Sequence, residues 1–144
     1  MKSNLYKNDF HAWTLGQVSL LRARQFTALD VESLIEELEI MGASERRQLV
    51  SRLAVLLAHL LKWQHQPSYR GRSWVLTIKE QRRQLGRHLR DNPSLEARID
   101  EFLADAYGDA VLIAASETGL DEEAFPESCP YAWTDIMDAD FLPN

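Results

Sequence analysis

Three glutamates crowd one short stretch of the chain, Glu36, Glu37 and Glu39. On a helix, Glu36 and Glu39 share a face at i, i+3 spacing. Paired carboxylates of that kind can bind a divalent ion or divide the work of acid and base. No second acid–histidine motif of the two-metal bundle type accompanies them. The plainer expectation is therefore a solvated face answering basic helices elsewhere. His59 stands among leucines in the most apolar run of the sequence. A histidine there is either a neutral, hydrogen-bonded core residue or a buried base with a depressed pKa. A cleft joining Glu36, Glu39 and His59 is the enzymatic alternative. His65, six positions on, falls on another side of the same helix, and His11 and His88 have no partner at chelating spacing. The chain holds no His-Glu-x-x-His, no Cys-x-x-Cys, no glycine-rich phosphate loop and no glycine-flanked serine elbow. These residues name no reaction, no metal and no cofactor, and a non-enzymatic role is the expectation.

The most distinctive stretch runs from Lys62 to Trp74, Lys-Trp-Gln-His-Gln-Pro-Ser-Tyr-Arg-Gly-Arg-Ser-Trp. Cations alternate with aromatics there, a composition suited to phosphates and stacked bases or to an acidic protein surface. Lys62, Trp63, Tyr69, Arg70, Arg72 and Trp74, with Arg82 further on, are the candidate binding residues. They lie in a strongly basic block. Residues 43–90 hold eleven Lys/Arg against two acids, for a block charge of +9. Residues 91–144 hold fourteen acids against one base, and the whole chain has a net charge of −6. Those arginines have two available roles: pairing with the acidic half of the same chain, or meeting an external anionic partner, protein or nucleic acid. The pI of about 5.2 speaks against a dedicated nucleic-acid binder.

The elements that must position these residues read as helices. Asp9 caps a first helix to about Arg24, with Phe10, Trp13, Leu20 and Leu21 along one side. Asp30 caps a second, with Val31, Leu34, Ile35, Leu38 and Met41 inward, closed by Gly42. Ser44 opens a third that runs to Pro67, and its Leu53–Leu61 portion is apolar nearly all round, as in a helix surrounded by others. Ser73 or Thr77 starts a fourth on the stripe Trp74, Ile78, Leu85 and Leu89, with Arg82, Arg83, Arg87 and Arg90 outward. Asn92-Pro93 opens a fifth, closed by Gly119. The expectation is an all-α antiparallel bundle of about five helices in a single domain, residues 1–144, with core helices over about 9–118. The tail over about 120–144 carries Phe125, Tyr131, Trp133 and Phe141 among its prolines and is expected to pack onto the helices.

The chain has 144 residues and one cysteine, Cys129, so it makes no internal disulfide. A reducing, cytoplasmic setting is expected. No apolar leader begins the sequence, and the longest apolar run is about half of the ~20 residues that a membrane helix needs. Amphipathic helices of this kind also permit a homo-oligomer.

As a set, several segments resemble the bacterial family catalogued as domain of unknown function 29. They are Asp9-Phe10-His11-Ala12-Trp13, Leu34-Ile35-Glu36-Glu37-Leu38-Glu39, Ser44-Glu45-Arg46-Arg47, Leu56 through Gln64, Ser73-Trp74, Glu117-Thr118-Gly119-Leu120, Phe125-Pro126, Cys129-Pro130-Tyr131 and Asp140-Phe141-Leu142-Pro143. The resemblance spans nearly the whole chain. It implies an all-helical fold and brings no activity, cofactor or catalytic residue.

Overall fold

A computed structural model describes residues 4–144 of the chain. Six α-helices and no strand occur among them, giving the all-α bundle that the periodicity predicts. The helices are α1 (Asn4–Asn8), α2 (Phe10–Arg22), α3 (Val31–His65), α4 (Arg72–Asp91), α5 (Ile99–Thr118) and α6 (Trp133–Ile136). Two compact units divide the chain, Met1–Glu45 and Arg46–Asn144.

In the first unit, Asp9 caps α2 by accepting a 3.0 Å bond from the Ala12 amide. The preceding turn is also helical and forms α1. α2 ends where Arg24 adopts φ +58°, a left-handed conformation more usually given to glycine. The interior of this unit is polar and aromatic. Trp13 Nε1 donates to Asp30 Oδ2 at 3.0 Å, and the Asp30 amide donates to Gln17 Oε1 at 2.9 Å. Asp30 Oδ1 also accepts from the Ser33 amide, so the expected cap of the next helix doubles as the anchor of α2. Phe10 and Trp13 stack, Tyr6 meets Trp13 edge-on and Phe10 at a tilt, and its hydroxyl donates to Glu37. That bond stabilises the neutral phenol and pushes its pKa up to about 12.

α3 runs straight through Gly42, where the sequence predicts a break. The only glycine with positive φ among the described residues is Gly119, so Gly42 keeps ordinary helical geometry. Glycine costs a helix about 1 kcal/mol. Leu38, Ile40, Met41, Ala43, Glu45 and Arg46 surround it, and the backbone bonds of an unbroken helix outweigh that cost.

In the second unit, Leu49, Leu53, Leu56, Leu57, Leu60 and Leu61 of α3 are fully buried. Ile78, Leu85 and Leu89 of α4 join them, as do Phe102, Ala106, Tyr107 and Ala110 of α5. Gly71 is the residue before α4, so the helix opens at Arg72, ahead of both expected caps. Pro93 starts a short 3-10 segment to Arg98, and α5 follows at Ile99. Gly119, φ +78°, closes α5 as its sequence position predicts. The tail packs down: Phe125, Tyr131 and Ile136 are buried in the core. Tyr131 Oη donates to Gln64 Oε1 at 2.7 Å, and the Tyr107 hydroxyl donates to the Pro126 carbonyl.

Candidate anionic-partner interface on helix α4

α4 separates its residue types sharply by face. At 100° per residue, Ile78, Arg82, Leu85 and Leu89 share the buried side. Arg72, Lys79, Arg83, Arg87 and Arg90 fall within an arc of about 80° on the other side. All five are exposed, and none has an ion-pair partner among the described residues. They span roughly 27 Å of helix at 1.5 Å per residue. Glu80 borders the arc, Leu76 lies exposed within it, and Val75 is exposed beyond its other edge.

A groove of about 620 Å³ runs along one flank of this stripe. Val75 contributes apolar surface from α4 above the buried Ile78, and Met137 and Leu142 contribute it from the tail. Lys79 and Arg83 belong both to the stripe and to the groove, and Asp140 is its acidic group. The arrangement can hold an elongated ligand that presents apolar groups to the floor and carboxylates to the rim. A second groove, of about 580 Å³, has the opposite rim: Glu122, Glu123 and Glu127 around Tyr107, Val111 and Phe125.

The seven residues that the sequence singles out are divided by the fold. Arg82, expected to face outward, is buried. Its Nε donates to the Ile136 carbonyl at 2.8 Å and its Nη2 to the Phe141 carbonyl at 2.8 Å, which fastens the tail to α4. Burial lowers its pKa, and nearby Asp138 opposes that shift. The spacing 78, 82, 85, 89 was the signal that it turns inward, since it completes the apolar stripe. Lys62 is also buried; its Nζ lies 2.6 Å from Glu117 Oε2 and 4.8 Å from the Trp74 ring centroid. Lys62 and Trp74 therefore hold α3, α4 and α5 to one another. Arg70 donates from Nε to the Trp63 carbonyl at 2.7 Å and stacks over the Trp63 ring. Of the seven, only Tyr69 and Arg72 are exposed. Lys79, Arg83, Arg87 and Arg90 take the outward positions, and the sequence signal for them was the helical arc itself.

The alternative site is not assembled within either unit. Glu36 and Glu39 lie in the first unit and His59 in the second. His59 donates from Nδ1 to the Val55 carbonyl of its own helix at 2.9 Å, and burial lowers its pKa. Among the described residues, no three His, Cys, Asp or Glu are placed to share a metal ion. Cys129 is half-buried, and burial pushes its thiol pKa up, away from thiolate chemistry. No helix of the described residues is long and apolar enough to cross a membrane.

The profile of the family described as Domain of unknown function DUF29 matches residues 5–142. No curated protein and no solved structure matches the chain.

Proposed function

This chain belongs to the DUF29 family, and on that premise we propose that it is a non-enzymatic binding module whose outer α4 face receives an acidic, amphipathic segment of a partner protein. The observation that carries the reading is the five-cation stripe, without ion-pair partners among the described residues, beside an apolar groove, with Lys79 and Arg83 common to both. A phosphate backbone would use the cations and leave the apolar floor of Val75, Ile78, Met137 and Leu142 idle. An amphipathic acidic helix uses both. The net charge of −6 opposes the long-range approach of any anion, a long polyanion more than a short acidic segment, while leaving a local basic face intact. Contacts of this kind at an exposed rim contribute mainly to association rate and specificity.

The test is fluorescence anisotropy with a labelled Glu/Leu-rich helical peptide and, in parallel, single- and double-stranded DNA and RNA oligonucleotides. The peptide is expected to bind, more weakly at higher salt, and to lose about tenfold in affinity with Lys79→Glu and Arg83→Glu together, in keeping with modest energies per rim charge. Oligonucleotide binding with a steep salt slope and no peptide binding would replace the acidic protein by nucleic acid as the partner. Peptide affinity unaltered by the double reversal would remove α4 from the interaction.

A further inference from the structure

The first unit leaves most of its large apolar side chains about half exposed. Leu5, Phe10, Leu15, Val18, Leu21, Phe26, Val31, Ile35, Leu38, Ile40 and Met41 are 43–65% exposed, while Trp13 is the one large apolar side chain buried among the unit's described residues. The exposure is organised. On α3, Val31, Ile35, Leu38 and Met41 form one stripe at the i, i+4, i+7, i+10 spacing by which a helix packs against another. The sequence predicts this stripe to face a core, and in the structure it is open. On α2, Leu15 and Val18 lie on the side away from Trp13 and Gln17, and Leu21 is exposed at its edge. Half-exposed side chains of this size present on the order of 600 Å² of apolar surface. That sits at the upper end for the largest patch on an ordinary monomer. It also matches the apolar part of one side of a standard homodimer interface, roughly 65% of about 800 Å².

We propose that the apolar face of α2 and the first turns of α3 is the contact between two copies of this chain, with the two hairpins packing as a symmetric helical bundle. Charge on the rims fits a second copy. Arg22 and Arg24 are exposed at the end of α2, and Glu39 is exposed beside the α3 stripe. A two-fold arrangement that lays α2 of one copy on α3 of the other brings opposite signs together, and each contact occurs twice. An anionic membrane surface would instead meet Glu39 and its acidic neighbours at the edge of the apolar face. The inference is independent of the α4 reading, since its residues lie in the other unit.

Sedimentation equilibrium between about 1 and 100 µM reads the mass directly. The wild type is expected at twice 16.6 kDa, and Ile35→Glu with Leu38→Glu is expected to be monomeric with its helical circular dichroism retained. Leu112→Glu, at an exposed leucine of the second unit, is the control and is expected to remain dimeric. A second readout does not depend on the glutamate variants folding. Two samples of Met41→Cys, in a Cys129→Ser background and carrying donor and acceptor dyes, are mixed and followed by energy transfer. Transfer that grows on mixing supports the contact. A monomeric wild type, a dimer that persists in the folded double variant, or mixing without transfer overturns it.

Discussion

Arg82 commits its guanidinium to the main-chain carbonyls of Ile136 and Phe141. Charged donors to buried carbonyls are worth more than neutral ones, and losing the donor leaves both acceptors unmet. Arg82→Ala is expected to lower unfolding stability by about 2–3 kcal/mol. It should also speed amide exchange over residues 133–142, with urea titration and hydrogen exchange as the two readouts. Arg82→Lys should recover only part of the loss, because one ammonium nitrogen cannot occupy the two donor positions that Nε and Nη2 hold. His59 and His65 carry a different consequence. Burial holds both imidazoles below the ordinary value near 6.5. Above that value both are neutral and the fold keeps its full stability. As pH falls from about 6.5 toward the lowered folded values, the unfolded chain takes up protons first, so stability is lost. The melting temperature should therefore drop between about pH 7 and 5, and drop less when His59→Gln and His65→Gln are combined. An equal drop in both proteins would place the titration elsewhere.

Two glycines separate helix continuation from helix ending at the scale of the element. A Cβ at Gly42 would meet nothing within 4 Å, and its backbone is helical. Gly42→Ala is expected to stabilise the protein by about 0.5–1 kcal/mol. At Gly119 the space is equally open, yet φ is +78°, so Gly119→Ala should cost about 1 kcal/mol. Thermal unfolding of the two variants with opposite signs of shift is the check. Gly42 also marks the limit of what the sequence disclosed about elements. Glycine after a helical stripe is the signature of a terminus, and Ser44 with Glu45 resembles a fresh start, but good helix formers on both sides carry the helix across. Gly119 was legible because the helical apolar stripe stops there: Leu120-Asp121 leads into a proline-containing tail. The packing of that tail was legible from its aromatics. The inward turn of Arg82 was obscured by residue type, although its spacing with Ile78, Leu85 and Leu89 announced it. The openness of the α3 stripe was not legible at all, because an apolar face that meets a core and one that meets another molecule have the same periodicity.

For the whole molecule, the opposed charge blocks of the sequence acquire geometry only in part. Lys62 with Glu117 shows some basic residues answered inside the second unit, and Arg98 with Glu101 is a pair within the acidic segment itself. The five cations on the outer side of α4 have no ion-pair partner among the described residues. The Glu122, Glu123 and Glu127 rim forms a separate acidic groove, so the second unit offers surfaces of both signs. A ligand chosen by charge should therefore mark one and spare the other. The most direct measurement is amide and side-chain NMR of the labelled protein titrated with the Glu/Leu-rich peptide. Shifts confined to residues 72–90 of α4 and 137–142 of the tail are the predicted result. Shifts that instead gather around Tyr107 and Glu122–Glu127, or along α2 and the first turns of α3, or nowhere, would contradict the assignment of α4 as the binding face.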